Sequence, residues 1–323
     1  MILVTGATGF LGSELVNQLL LRGEKVRAIK RDTSRIPPLL QDKNEIEWFT
    51  ADISDYFALS EAMEGIKKVY HCAALISFNS EDRKKMLKVN VEGTTSLLNV
   101  SMEKKIQRFL HVSSIAAIGE SKKEKLITEK DHWEFGTGQS AYSVSKYKSE
   151  MEVFRAAAEG LNTVIVNPSI IIGKNAGKLG SGQLFESIRR GLNYYPGGSS
   201  GYVDVEDVAK SMILLMESDI SGERFIINSE NLTYKDFFKE IAEKFNRKPP
   251  SIAIKFWMLY LVYLASPIIS FFTGKKIGLN RDTISSAFKK QNYSNEKIKK
   301  TLNLQFKPVA DSVSEICQHL KNY

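Results

Sequence analysis

The stretch Met1-Ile2-Leu3-Val4-Thr5-Gly6-Ala7-Thr8-Gly9-Phe10-Leu11-Gly12 decides the fold of this chain. Ile2 to Thr5 are apolar or β-branched and read as a short buried strand. Glycines follow at an interval of three, at Gly6, Gly9 and Gly12. Ser13 to Leu20 has the spacing of an amphipathic helix. Strand, glycine turn and helix in that order are the context in which such a fingerprint binds a dinucleotide. Gly6 permits a sharp turn, Gly9 a close approach to a pyrophosphate, and Gly12 tight packing of helix on strand. The helix N-terminus then offers its unpaired N–H groups to the phosphates.

Outward from that turn, strand-like and helix-like segments alternate to about residue 170. Val26–Ile29, Ile46–Thr50, Val69–Cys72, Arg108–Val112 and Thr163–Val166 read as strands. Asp55–Glu64, a long Asp82–Lys105 and Ser140–Glu159 read as helices. Such alternation predicts an α/β fold, a doubly wound parallel sheet with ligands beyond the carboxyl ends of its strands. After Pro168 the pattern changes. Gly173–Gly182 and Tyr194–Tyr202 read as loops, and Leu184–Arg190 as a helix. Tyr202–Val205 with a helix over Glu206–Glu217 reads as a return to the first domain, followed by a strand at Arg224–Asn228. Thr233 suits the N-cap of a helix over Tyr234–Asn246. The expected division is residues 1–170 plus 202–228 as the nucleotide-binding domain. Residues 171–201 plus 229–323 then form a smaller, mostly helical substrate lobe.

Apolar residues are 43% and charged residues 25% of the 323, enough for a sizeable core. Lysine and arginine number 45 against 37 acidic residues, a formal charge of +8. The cations are scattered and no arginine-rich, aromatic-interleaved stripe occurs, so nucleic acid is not an expected partner. A basic balance suits an anionic cofactor or an acidic membrane surface. Two cysteines, Cys72 and Cys317, form neither a disulfide framework nor a metal spacing, and the four histidines are ungrouped. No metal is expected, and a reducing, cytoplasmic setting is. No basic, apolar leader precedes the first strand.

Phe256 to Gly274 contains no charged residue, with Lys255 before it and Lys275-Lys276 after it. It approaches the roughly 20 residues that span a bilayer. Ser266-Pro267 interrupts it, which favours two short helices. These would roof a substrate pocket, form a dimer face or touch a membrane.

The chemistry is carried by Tyr142-Ser143-Val144-Ser145-Lys146. Tyr142 and Lys146 share a helix face at i and i+4. A phenol ionises near pH 10, and a lysine cation beside it favours the phenolate, making a tunable proton donor and acceptor. Val112-Ser113-Ser114 ends a strand on the ligand edge, where the Ser114 hydroxyl can bond a reacting oxygen.

These residues resemble an extended short-chain dehydrogenase/reductase of the NAD-dependent epimerase/dehydratase family. TGATGFLG resembles the family's TGxxGxxG cofactor loop, placing Gly6, Thr8, Gly9, Phe10 and Leu11 against the dinucleotide. Asp52-Ile53 resembles the acidic pair that meets the adenine, and His71-Cys72-Ala73-Ala74 the HxAA segment, with Ala73 and Ala74 at the cofactor. Asn90-Val91-Glu92-Gly93-Thr94 matches NVxGT, and Asn167-Pro168-Ser169 stands where a loop meets the nicotinamide. Tyr202 to Ala209 resembles (Y/F)VxVxDVA, and Lys297 to Pro308 the late KIxxxLxxxP pattern. The resemblance implies a Rossmann-type fold and hydride transfer at a nicotinamide. Tyr142 is then the proton donor or acceptor. Lys146 binds the ribose, Ser114 positions the reacting oxygen, and Asn90 supports a proton path behind Lys146. It further implies a homodimer through Asp82–Lys105 and Ser140–Glu159.

Cofactor choice can be read from charge. NAD sites end the second strand on a carboxylate. Here that point reads Ile29-Lys30-Arg31, and Arg31, with Arg35, can hold a 2′-phosphate. NADP is therefore expected over NAD, although nearby Asp32 can still bond a ribose. Within the family the chain resembles dihydroflavonol 4-reductase and related carbonyl reductases. Three other readings stay open: a nucleotide-sugar epimerase or dehydratase, a 3β-hydroxysteroid dehydrogenase-like enzyme, and a non-catalytic NADP(H)-binding protein. The epimerases usually carry an arginine just before the segment equivalent to Tyr202. Gly197 to Gly201 has no cation, and Arg189-Arg190 lies upstream.

Overall fold

The computed structural model describes the chain except residues 78–79, 120–125, 135–138, 178–179, 264–280 and 323. In chain order its strands are β1 (Ile2–Thr5), β2 (Val26–Lys30), β3 (Glu47–Thr50), β4 (Lys68–His71), β5 (Arg108–Val112) and β6 (Thr163–Pro168). Then come β7 (Ile170–Ile172), β8 (Tyr194–Tyr195), β9 (Ser199–Asp204), β10 (Glu223–Ile227), β11 (Glu230–Thr233) and β12 (Ile252–Ala253). Seven of these make one sheet in the order β10-β6-β5-β4-β1-β2-β3. Every pairing in it is parallel. The chain leaves β1 toward β2 and β3, then crosses to β4 and continues the other way. The reversal falls between β1 and β4, so a crevice opens beyond their carboxyl ends.

Successive side chains of a strand face opposite sides, and the sequence fills both. Val4, Val26, Leu110 and Val164 pack under α1 (Phe10–Leu21) and, further along the chain, the helix Val205–Glu217. Leu3, Val69, Phe109 and Ile165 pack on the opposite side. There they meet α2 (Tyr56–Ala62), α4 (Gly93–Glu103), which follows α3 (Arg83–Leu87), and α5 (Ala141–Ala158). This is the doubly wound, Rossmann-type architecture expected from the alternation. A third cluster gathers Phe185, Tyr202, Phe237, Ile241, Val313 and Ile316. It joins α6 (Ser181–Arg189), β9, which leads into α7 (Val205–Glu217), α8 (Tyr234–Lys244) and the helix Val309–Lys321. Tyr202 stacks on Phe237 with ring centroids 4.0 Å apart. Thr233 caps α8 as expected, its hydroxyl accepting the Asp236 N–H at 3.1 Å.

Two segments differ from the sequence reading. Asp82–Lys105 is not one regular helix, because a π turn at Lys88–Glu92 separates α3 from α4. Tyr194–Tyr202 is not a loop, since it holds β8 and most of β9. β9 is buried throughout and pairs with β7 and β11. Its small residues serve packing: a Cβ on Gly201 would stand 2.2 Å from Asn228 Oδ1. Of the uncharged segment, residues 256–263 are helical. The Ser266-Pro267 break and the second expected helix lie outside the described residues. Among the described residues no helix is long and apolar enough to cross a membrane.

Candidate active site

The glycine turn follows β1 at the crevice. Gly6 has φ +70°, a conformation that favours glycine, and its carbonyl accepts the Gly9 N–H at 2.9 Å. A Cβ on Gly12 would lie 2.1 Å from Gly6 O, so helix and strand pack too closely for any side chain. Gly9 is the N-cap of α1, and no side chain caps that end. Leu11 is part of the core and Phe10 packs against it, so these two offer the turn their backbone. Thr8 is half-buried and Gly9 exposed. Uncapped amides at an open helix N-terminus, with no Cβ at Gly9, fit a pyrophosphate.

Ser114, Tyr142 and Lys146 converge beyond β5. Ser114 is extended and caps a short 3-10 turn, Ile115–Ala117, accepting the Ala116 N–H at 3.2 Å. Ser140 caps α5 by accepting the Ser143 N–H at 3.0 Å, which fixes where the helix begins and so where Tyr142 stands. Burial pushes the Tyr142 phenol above its ordinary range, and a hydrogen bond with the Ser114 side chain opposes that rise. Lys146 is buried and donates to the Val112 carbonyl at 2.8 Å. Burial brings its ammonium down to about 8, against the pull of Glu150 and Cys72 toward the charged form. The sequence reading had Lys146 lowering the phenol. In this structure desolvation dominates Tyr142 instead.

Behind Lys146 lies a chain of buried hydrogen bonds. Thr94 Oγ1 donates to the Asn90 carbonyl at 2.6 Å, so it accepts from His71 Nε2 at 2.9 Å. His71 Nδ1 then accepts from Thr5 Oγ1 at 2.7 Å, which assigns the tautomer. Thr5 Oγ1 in turn accepts the Ala73 N–H at 3.3 Å. Burial, then the Lys146 charge, lower His71 to about 3. His111 stands 5.2 Å from it, ring to ring, and is lowered too, by burial first. Both rings are neutral, so Lys146 carries the positive charge beside them. Asn90, inside the π turn, accepts the Leu75 N–H at 2.7 Å and donates to Leu75 O and Ser145 Oγ, each at 2.9 Å. Its side chain ties the segment after β4 to α5.

The floor of the site holds two residues that sequence reasoning missed, Glu150 and Arg224. Asn167 donates to the Ser114 carbonyl at 2.9 Å and also to Glu150. Its amide is thus committed to holding Ser114. Glu150 is fully buried and pairs with the Arg224 guanidinium at 3.2 Å. Burial raises its carboxyl, while Arg224 and Asn167 oppose the rise. Arg224 also donates to the Glu129 carbonyl at 2.8 Å and to that of Asp131 at 3.1 Å. The one sequence signal was that Glu150 follows Lys146 by four positions, on the same helix face.

The other end of the crevice is wetter. Arg31 follows β2 directly and is exposed, as are Asp32 and Arg35. Asp52, beyond β3, accepts from the Ser54 N–H at 2.9 Å and the Ser54 hydroxyl at 2.7 Å. Those bonds hold its carboxyl below the usual range, with Arg31 adding to the effect. Ile53 is buried, against Gly93. Ala73 and Ala74 follow β4 and are half-buried. Pro168 ends β6, and the buried Ser169 N–H donates to Ile227 O at 3.0 Å.

A parallel sheet with its reversal at a glycine turn, and a Ser-Tyr-Lys set at the adjoining strand ends, define a nucleotide-dependent oxidoreductase architecture. The NAD dependent epimerase/dehydratase family matches residues 2–228, and the chain belongs to that family, the extended short-chain dehydrogenase/reductases. "Sterol demethylase protein B" of Methylococcus capsulatus is 32% identical over 78% of this chain and 76% of its own length. "Putative dihydroflavonol 4-reductase" of a Synechocystis species is 28% identical over 99% of this chain and 94% of its own. The crystal structure of gox2253 superposes with a TM-score of 0.87 at 31% identity, covering 100% of this chain and 98% of that one. Together these make the chain an NAD(P)-dependent enzyme of the reductase or dehydrogenase type.

Proposed function

We propose that this enzyme reduces an aldehyde or ketone on a small, apolar substrate, with NADPH as the hydride source. The observation that carries the reading is the Ser114–Tyr142 hydroxyl pair beside the buried Lys146. The phenol is protonated at neutral pH and so carries the proton that reduction needs. Ser114 orients the carbonyl oxygen, and Tyr142 gives it a proton as the bond order falls. The Lys146 cation then stabilises the phenolate that remains. When bound at the glycine turn, the reduced nicotinamide would supply the hydride to the carbonyl carbon. Lys146 and Tyr142 would also be the groups nearest its ribose. Arg31, exposed at the end of β2, would pair a 2′-phosphate.

Two observations favour a carbonyl reductase over a nucleotide-sugar epimerase. Arg189 and Arg190, the upstream cations, are both engaged by Glu186, at 2.8 and 2.7 Å. The names of the two relatives, a sterol demethylation protein and a putative dihydroflavonol reductase, also point toward apolar, ring-bearing substrates.

The test is a panel of aldehydes, ketones, sterols and sugar nucleotides followed by NADPH absorbance. NADPH consumption with a carbonyl compound supports the proposal, and a redox-neutral change in a sugar nucleotide overturns it. Tyr142→Phe should then lower turnover by about 10²–10⁴-fold while NADPH still binds. Unchanged turnover in that variant removes Tyr142 from the mechanism.

A further inference from the structure

We propose that the helical segment 256–263 docks this enzyme on an anionic phospholipid surface, lying in the interface rather than crossing it. The first observation is geometric. At 100° per residue, Trp257, Met258, Leu261 and Val262 fall on one face of the segment. Trp257 is 58% and Leu261 54% exposed. On the opposite side Phe256, still half exposed, packs on Phe288 with centroids 5.7 Å apart, and Tyr260 of the same segment lies 6.2 Å from it. The segment therefore has a partner on one side and presents only apolar side chains on the other. Ile252, on β12 just before it, adds a further exposed aliphatic group.

The second observation is charge. Between Glu243 and Asp282 the sequence has no carboxylate, but it has Lys244, Arg247, Lys248, Lys255, Lys275, Lys276 and Arg281. Of these, Lys244, Arg247, Lys248 and Lys255 are exposed, and Lys255 directly precedes the apolar segment. A buried dimer face does not need that charge, whereas a leaflet with anionic headgroups attracts it. Tryptophan settles at the headgroup level, and lysine stems lie along apolar surface with their ammonium groups in water. An apolar face exposed along one side of a helical segment, with lysine and arginine beside it in the sequence, matches an in-plane geometry. The inference rests on this surface alone and stands apart from the identity of the substrate.

The experiment is flotation of the full chain with vesicles of phosphatidylcholine, with and without phosphatidylglycerol. Binding should require phosphatidylglycerol, weaken with added salt, and fall at least tenfold in Trp257→Glu and in Leu261→Glu. Trp257 emission should shift to the blue on the anionic vesicles. Thermal melts and NADPH binding of the two variants should match the parent, which separates lost docking from lost folding. No flotation with anionic vesicles at low salt overturns the proposal. So does equal flotation on both vesicle types, or flotation that neither variant changes. A concentration-dependent dimer that the same substitutions dissolve, without vesicle binding, would assign the face to a second copy of the chain instead.

Discussion

One edge of the sheet carries both ends of the crevice, and they are built differently. Beyond β5 and β6 the site is dry. Lys146, His71, His111, Asn90, Asn167 and Glu150 are all buried. Beyond β2 and β3 it is wet, with Arg31, Asp32, Arg35 and Asp52 exposed. Proton transfer benefits from fixed groups in a low-dielectric site, whose charges act more strongly there than in water. Recognition of an anionic group at the rim needs only a reachable cation. The difference predicts where a substitution harms the fold and where it alters affinity alone.

The largest effect should come from the dry floor. Glu150→Ala removes a fully buried carboxylate and leaves the half-buried Arg224 guanidinium without it. Breaking such a pair costs about 3–5 kcal/mol, and chemical denaturation would measure it. Turnover should fall as well, since Asn167 loses the group opposite Ser114. If Glu150→Ala melts like the parent, the floor is not a stability element and the contrast fails.

The second effect is in pH. Lys146 is lowered to about 8 by burial, and His71 to about 3. The rate of carbonyl reduction should therefore be flat near pH 6.5 and fall above about pH 8, as the ammonium loses its proton. The linked stability runs oppositely. Between the folded value and the unfolded one near 10.4, the unfolded chain holds more protons, so Lys146 adds stability as pH rises through that window. A profile of kcat/KM against pH and melts at pH 7 and 9.5 check both signs. The melts are best compared with Lys146→Met, which removes this contribution.

The smallest effect on stability belongs to the wet end. Arg31→Asp should weaken NADPH by about 10–100-fold, the value of a charge-assisted contact. NADH should change far less, and stability by less than about 0.5 kcal/mol. Titration of both nucleotides reads this out. Equal weakening of the two would remove the 2′-phosphate role. A large loss of stability would mean that Arg31 is structural and the two ends are alike.

The sheet and the glycine turn were legible because each is encoded within about twelve residues. Ile2 to Gly12 holds a strand, a turn and a helix start, and every later strand repeats a short apolar run. The closeness of Ser114, Tyr142 and Lys146 was expected from a strand end, an i and i+4 spacing and the family resemblance together. Glu150 with Arg224 was not, because its partner is 74 positions away and only the pairing of β10 with β6 brings it close. The direction of the Tyr142 shift was misread because a helix-face rule counts the neighbouring charge and omits desolvation. β9 was read as a loop because Ser199-Ser200-Gly201 has the composition of one. It is a strand because it pairs with β7 and β11, whose residues no local window contains.

The link between Glu150 and Arg224 also bears on the order in which the enzyme matures. Tyr142 and Lys146 reach their helix from purely local turns, yet the carboxylate one turn further lacks the Arg224 guanidinium until β10 docks at the sheet edge. Lys297 then fastens that strand, donating to the Arg224 carbonyl at 2.7 Å and lying 4.2 Å from the centre of the Phe225 ring. Contacts across such separations form late, after the loops between them have closed. The helix of Tyr142 and Lys146 is thus specified by local sequence and electrically completed by a distant strand. A nascent or partly unfolded chain would have the active-site residues in place on their helix without the environment that makes them active.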